Sequence, residues 1–140
     1  NDQLPAHIRV HIDDDPVDFI RPFLTNGARR LSTNKGTQYF ILVMTHDHSL
    51  DFDLVRAALD CLLATDSKTA LKESSARPYV GCISSATKAK RFKEKLLQRG
   101  YSEKVVDKVT MPIGLEIGGK QPMAVAVSIA SQILQLYHQA

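Results

Sequence analysis

Residues 39–44 read YFILVM, and this unbroken apolar run decides the fold class. A strand with one solvated face would carry a polar residue at every second position. A run without such residues indicates a strand that is covered on both faces, as in a parallel sheet between helices. We therefore predict a strand over residues 37–44. The polar stretch THDHSLD follows at residues 45–51, and apolar residues then recur at helical spacing, which predicts a helix from about Asp51 to Ala64.

Strands and helices alternate on both sides of this unit. Upstream, Ile8 to Ile12 alternates apolar with polar residues, which predicts a half-buried strand. This order predicts a single α/β domain built on a doubly wound, mostly parallel sheet. The other predicted segments are a helix over Val17 to Phe23, a loop over Asn26 to Lys35, a surface connection over Asp66 to Arg77, a strand over Pro78 to Ile83, and helices over Thr87 to Arg99, Ser102 to Val109 and Met123 to Tyr137.

Length and charge agree with one domain. The chain has 140 residues, 44% of them hydrophobic and 24% charged, which suits one ordinary core and is too little for two domains of typical size. Lys and Arg exceed Asp and Glu by 18 to 15, and much of the excess lies between Lys88 and Lys95. This local excess favours an anionic ligand. No cluster of aromatic residues accompanies it, so we expect no nucleic-acid partner.

Cysteine usage and hydropathy indicate the compartment. Cys61 and Cys82 lie 21 positions apart without CxxC spacing, which argues against a disulfide scaffold and a zinc site. The longest apolar runs are much shorter than a membrane span. We therefore expect a soluble cytoplasmic protein with no membrane partner, in which both cysteines belong to the core.

Four polar residues, Thr45, His46, Asp47 and His48, follow the YFILVM strand. Ligands of open parallel sheets bind outside the carboxyl ends of the strands, so these residues are candidates to bind a cofactor. An alternative of equal weight is a loop in which Thr45 and Asp47 hydrogen-bond backbone groups before the helix. A metal would need a third ligand from Asp47 or Asp51 and a fourth that is not evident, so we predict no metal site.

Ser84 and Ser85 occupy the equivalent position after the next strand, directly before a helix. Hydroxyls and free N–H groups at a helix start can hold a phosphate, and Lys88 would add charge one turn later. Simple N-capping explains the same serines without any ligand and is the more frequent situation. For the basic run from Lys88 to Lys95 we expect a solvated helix face rather than a track for phosphates.

A third candidate is the stretch PIGLEIGG at residues 112–119. Gly114 and Gly118 permit a positive φ or a close approach of the backbone to a ligand, and equally a tight turn. Glu116 between them is a candidate to bind a hydroxyl or a ring nitrogen, with an exposed loop carboxylate as the simpler alternative. A nucleophile elbow, a P-loop and a GxGxxG fingerprint are all absent from the sequence, so we predict no catalytic residue.

Three motifs together carry a family resemblance: VMTHDHSLDFDL at residues 43–54, YVGCISSATKAKRF at 79–92 and MPIGLEIGGKQP at 111–122. In this order they resemble the C-terminal, Rossmann-like domain of xanthine dehydrogenase accessory proteins, the XdhC/CoxI family, from about Val10 to the last helix. The resemblance implies a piece of a longer protein that lacks the first strand-turn-helix of that domain.

The resemblance also implies a function. Proteins of this family bind molybdenum cofactor, protect it, and help to insert its sulfurated form into xanthine dehydrogenase-type hydroxylases. The implied partners are the apo-hydroxylase, a cysteine desulfurase and further copies of the protein. The pterin would meet the Ser84-Ser85 helix start and the loop at residues 45–48. Two alternatives stay open: an NAD(P)- or nucleotide-dependent oxidoreductase or sulfur-transfer enzyme, and a structural domain for docking or dimerisation.

Overall fold

A computed structural model of the chain describes residues 5–12, 14–22, 40–69 and 79–139. Three strands and five helices lie within these ranges. In chain order they are α1 at residues 16–22, β1 at Phe40–Val43, α2 at His48–Thr69, β2 at Tyr79–Cys82, α3 at Ala86–Gln98, α4 at Glu103–Val106, β3 at Val109–Thr110 and α5 at Pro122–Gln139.

The strands form one parallel sheet in the order β1-β2-β3. Val43 is level with Cys82, and Val80 with Val109. The pairing continues past the strands, because the backbone N–H of Ile83 donates to the carbonyl of Val43 at 2.9 Å. The carboxyl ends of the strands therefore meet at one edge of the sheet, which we call the carboxyl edge.

The core lies between the sheet and the helices that flank it. β2 is the central strand, and its Val80 and Cys82 are fully buried. Apolar residues of α2 and α3 cover the sheet, and Leu59 and Leu96 are their largest fully buried members. Each such side chain contributes about 1.5–3 kcal/mol through removal of its apolar surface from water. The predicted parallel α/β architecture is confirmed.

Local capping explains where the helices begin and end. The carboxylate of Asp47 accepts hydrogen bonds from the N–H groups of Ser49 and Leu50, and the hydroxyl of Ser102 accepts one from Val105. Gly100 has φ +95° just after α3, a conformation that residues with a Cβ rarely adopt, and it ends that helix. No helix of the described ranges is long and apolar enough to cross a membrane.

The prediction was wrong at the strand over Ile8 to Ile12, which is irregular and exposed, with Ile12 96% accessible. Alternating residues form a strand only beside a partner, and no strand of the described chain lies there. The predicted surface connection was wrong at residues 66–69, which extend α2, and residues 70–78 lie outside the described part. The predicted helix from Ser102 ends at Val106 rather than Val109, because Val109 pairs with Val80 in β3. The predicted loop at residues 26–35 also lies outside the described part.

Candidate functional site

Polar residues collect at the carboxyl edge, where α2 and α3 begin. The start of α2 follows β1 after four residues, and the start of α3 follows β2 after three. The segment after β3 also reaches this edge, since the N–H of Ile113 donates to the carbonyl of Cys82 at 3.2 Å. The topology thus brings all three predicted motifs to the same edge of the sheet.

Thr45 and Asp47 have a structural role in the loop before α2. The Thr45 hydroxyl accepts a hydrogen bond from the N–H of Asp47 at 3.1 Å, and Asp47 caps the helix as described above. Both side chains therefore hydrogen-bond backbone groups before the helix, which was the alternative prediction for this loop. His46 and His48 are exposed, and His48 is the first residue of α2.

A buried ion pair lies directly beneath this loop. The ammonium of Lys88 lies 2.6 Å from Oδ2 of Asp51, with both side chains almost completely buried at 7% and 0% exposure. The same ammonium donates to the carbonyl of Ile83 at 2.8 Å, and Oδ1 of Asp51 accepts from the N–H of Thr45 at 3.0 Å. The pair ties the loop after β1 to the loop after β2. The expectation of a solvated Lys88 was therefore wrong.

Burial and the charges of this pair shift the pKa values of two residues, Asp51 and Cys82. Burial by itself would raise the pKa of Asp51, but the hydrogen bonds from Lys88 and Thr45 and the positive charge of Lys88 outweigh it and hold that pKa below 3.8. Burial raises the pKa of the Cys82 thiol to about 11, against the opposing charge of Lys88 and with a contribution from Asp51. Cys82 is therefore a protonated core residue rather than a reactive thiolate.

The two serines behave differently from each other. The Ser85 hydroxyl accepts a hydrogen bond from the N–H of Lys88 at 3.2 Å and caps α3, so the capping prediction is confirmed. The Ser84 hydroxyl is buried and has no hydrogen-bond partner among the described residues. An unsatisfied buried hydroxyl lowers folding stability by about 1–3 kcal/mol. Ser84 thus carries a polar group that no described residue satisfies.

A pocket of about 220 Å³ opens between the first turns of α2 and α3. Arg91 and Lys95, both on α3, make one of its walls positively charged, and none of its described lining residues is acidic. The charge of Lys88 is balanced by Asp51, so the uncompensated cations are Arg91 and Lys95. The lining residues are His48 and Ser49 from α2 and Ser85, Thr87, Lys88, Arg91, Phe92 and Lys95 from the start and body of α3.

An aromatic ring holds one of these two cations, Lys95, in place. Phe52 and Phe92 meet edge to face, with ring centroids 5.3 Å apart, and join α2 to α3. The ammonium of Lys95 lies 4.7 Å from the centre of the Phe52 ring. A cation over a ring face is stabilised by about 0.5–1 kcal/mol at exposed sites. The Lys95 ammonium, on α3, is therefore held against a ring of α2.

The glycine segment supports the fold next to the pocket and does not line it. The N–H of Gly114 donates to Oε1 of Gln132 in α5 at 2.8 Å, and a Cβ at Gly114 would lie 2.6 Å from the Ser128 hydroxyl. Gly114 has φ +102°, so both its conformation and its closeness to α5 require glycine. Glu116 and Gly118 lie further along the same segment and are exposed.

The structure thus unites three of the sequence candidates, His48, Ser85 and Lys88, in one pocket. The predicted solvated face includes Arg91 and Lys95. Both residues are exposed, and both also line the pocket. Their spacing was the available signal, because positions 88, 91 and 95 recur at three and four residues and share one helix face. Among the described residues, no group of three His, Cys, Asp or Glu side chains is placed to hold a metal ion.

Comparison with known proteins assigns the family. The chain is 28% identical over 103 residues to the uncharacterized protein YqeB of Escherichia coli (strain K12). The matched region covers 66% of this chain and 19% of YqeB, so the chain corresponds to about a fifth of that relative's length. The family model described as the XdhC Rossmann domain matches residues 3–133. A match over nearly the whole chain, on a parallel α/β sheet, shows that the chain belongs to the XdhC Rossmann domain family.

Proposed function

We propose that this domain serves an XdhC-type accessory protein by holding the phosphate-bearing end of molybdenum cofactor until a xanthine dehydrogenase-type apo-hydroxylase receives it. The cofactor is cargo in this proposal, and its redox chemistry belongs to the hydroxylase. A cysteine desulfurase is the proposed source of the sulfur that the cofactor acquires. Membership of the XdhC Rossmann domain family supports the accessory role.

The observation that carries the proposal is the cationic pocket at the carboxyl edge. Two helices begin there, and the start of a helix favours negative charge. At α2 this place is already taken by the Asp47 carboxylate, so α3, which is capped by the neutral Ser85, is the helix whose start attracts a further anion. The side chains of Arg91 and Lys95 add two full charges, and His48 and Thr87 add hydrogen-bond donors. A phosphate placed there meets donors from both helices.

The size of the pocket decides which part of the cofactor it takes. Its 220 Å³ is less than the about 300–1,000 Å³ of pockets that enclose a whole drug-sized ligand. A phosphate fits with room for a few water molecules, whereas the pterin has to lie outside, over the carboxyl edge. The exposed His46 is one described polar side chain at that edge that is accessible to it.

The buried pair of Lys88 and Asp51 positions these groups. It connects the loop at residues 45–48 to the start of α3, so the two walls of the pocket keep a fixed separation. Because Asp51 neutralises Lys88, the binding charge comes from Arg91 and Lys95. Removal of the charges of Arg91 and Lys95 is therefore the direct test of the proposed binding site.

The test uses the chain produced in a host that makes molybdenum cofactor and purified without oxygen. Molybdenum is counted by elemental analysis and pterin by its fluorescence after oxidation. We expect both to accompany the wild-type chain and to fall at least about tenfold in the Arg91→Gln/Lys95→Gln double variant, since two charge-assisted contacts contribute about 1.5–3 kcal/mol each.

The matched control is Lys90→Gln/Lys104→Gln, which removes the same charge from exposed positions outside the pocket. Equal retention of cofactor in both double variants would contradict the placement in the pocket. A nucleotide such as NAD(P) in place of the pterin would contradict the proposal and favour the oxidoreductase alternative.

A further inference from the structure

Three exposed cations form a row along α3, and the row begins in the cationic pocket. Arg91, Lys95 and Arg99 are spaced four residues apart, so they share one side of the helix and extend about 12 Å along it. Arg91 and Lys95 line the pocket, and Arg99 lies beyond it. We call these three residues the α3 strip.

The positive charges of the strip have no counter-charge in contact. None of the described carboxylates forms an ion pair with its three residues. Glu94, the one acidic residue of α3, lies about 60° around the helix from Arg91, on the side away from α2. Asp53 and Asp60 of α2 are exposed, and Asp60 accepts a hydrogen bond from the hydroxyl of Tyr101 at 2.6 Å. The strip is therefore available to an external anion.

Packing against α2 holds two of these cations in position. The ammonium of Lys95 and the guanidinium of Arg99 lie 4.7 Å and 5.8 Å from the centre of the Phe52 ring. That ring is 3% exposed and packs on the ring of Phe92, so both cations rest on a part of the core. Side chains that are already held lose less conformational freedom when they bind a partner.

We propose that the α3 strip binds an acidic segment of a partner protein, and that this segment competes with the anion in the pocket. The competition rests on the proposed function. The spacing favours such a segment, because neighbouring cations of the strip lie about 6 Å apart along the helix, and alternate residues of an extended chain lie about 6.6–6.8 Å apart on one side. A segment with Asp or Glu at every second position therefore places one carboxylate beside each cation.

The length and chemistry of the strip favour a protein over a nucleic acid. Proteins that bind nucleic acids through the backbone typically neutralise about 6–10 phosphates, whereas the strip offers three cations over about 12 Å. Binding of single strands also uses exposed aromatic rings on which bases stack. The ring beside the strip, Phe52, is buried and cannot stack on a base.

The strip and the pocket share Arg91 and Lys95. These two cations cannot contact a phosphate and the carboxylates of a partner at full strength at the same time. Bound phosphate and bound acidic segment therefore weaken each other, and they do so by the same factor, because the coupling between two binding equilibria is reciprocal. Docking of an acidic partner thus favours release of a phosphate-bearing cargo at the place where the partner receives it.

Fluorescence anisotropy of a labelled peptide of about twelve residues, with Glu alternating with Ser, tests the docking. In about 0.1 M salt, where the screening length is about 10 Å, we expect saturable binding of this peptide and none of its Gln-Ser counterpart. Arg99→Gln, which lies outside the pocket, should weaken binding about two- to fivefold. The control Lys90→Gln removes the same charge about 100° around the helix from Arg91 and should leave binding unchanged. Equal affinities of the two variants would overturn the docking, as would tighter binding of a single-stranded oligonucleotide of the same charge.

Inorganic phosphate tests the competition on the wild-type chain. Phosphate should raise the apparent dissociation constant of the Glu-Ser peptide more than chloride does at equal ionic strength. Backbone amide shifts of Ser85 and Thr87, which line the pocket, report phosphate binding itself. Phosphate that binds there without displacing the peptide would overturn the competition.

The docking and the proposed cargo role fail independently of each other. The peptide titration contains no molybdenum cofactor, so a chain that is purified without molybdenum and pterin contradicts the cargo role and leaves the docking result as measured. Phosphate that does not bind in the pocket has the same meaning. A peptide that does not bind overturns the docking and leaves the retention of cofactor as measured.

Discussion

The replacement Lys88→Met should cost the domain about 3–5 kcal/mol of unfolding free energy. Asp51 is completely buried, and Lys88 is its cationic partner at 2.6 Å. Methionine fills nearly the same volume but leaves a buried carboxylate without its counter-charge. Removal of one partner from a buried pair has this cost because the remaining charge stays desolvated. With a urea dependence of about 2 kcal/mol/M, the unfolding midpoint should fall by about 2 M.

The pH dependence separates this electrostatic effect from lost packing. Because the folded pKa of Asp51 lies below 3.8, its contribution to stability is present above that pH and is lost as the pH falls through the folded pKa. In Lys88→Met, burial without the cation raises the pKa of Asp51 instead, and the protonated carboxyl suits the buried site. The difference between variant and wild type should therefore be smaller near about pH 4 than near about pH 7.

Urea unfolding followed by far-UV circular dichroism at the two pH values measures this difference. The control Lys90→Met removes an exposed lysine from the same helix and should stay within about 0.5 kcal/mol of wild type. Asp51→Asn keeps an oxygen that can accept from Thr45 but leaves the buried Lys88 ammonium without its counter-charge, so it should cost a similar amount. A Lys88→Met variant that matches Lys90→Met, or a penalty that does not change with pH, would refute the reasoning.

Three further predictions concern the same edge of the sheet. Gly114→Ala should cost about 1–3 kcal/mol in urea unfolding, because its φ is +102° and a Cβ would clash with α5; Gly118→Ala, with φ +84° and open space around it, should cost less. In thiol labelling at mildly alkaline pH, Cys61 should react first and Cys82 only on unfolding, because burial raises the pKa of Cys82 to about 11; equal rates would contradict this. Ser84→Ala should leave stability unchanged or raise it, since the hydroxyl is unsatisfied; a clear loss of stability in urea unfolding would reveal a partner for that hydroxyl.

Sequence reasoning was most accurate where a residue type strongly prefers one local backbone role. The run YFILVM predicted a strand of a parallel sheet, and β1 forms there, although three of its four residues are only partly buried. Ser85 and Ser102 are strong N-caps, and the helices begin directly after them. Gly100 permits the positive φ at which α3 ends. These signals depend on the chain within a few residues, and the three motifs that indicated the family lie in the same well-defined segments.

Sequence reasoning was weaker where the outcome depends on residues far apart in the chain. The alternating residues 8–12 satisfy the pattern of a strand, but a strand also needs a neighbour, and the pattern carries no information on that. Val109 entered β3 because Val80 lies beside it, although only two residues of the strand are involved. Periodicity records which face of a segment is apolar and not what covers that face.

The same distinction applies to the site. The sequence by itself determined the parallel α/β class, the helix starts at the carboxyl edge and the polar residues that follow the strands. Tertiary structure alone decided which of them act together, because Asp51 and Lys88 are 37 positions apart and meet only when β1 and β2 pair. That contact makes Lys88 a buried structural residue and leaves Arg91 and Lys95 as the free charges of the pocket. Burial and pairing of charges arise from packing between distant segments, and no local pattern specifies them.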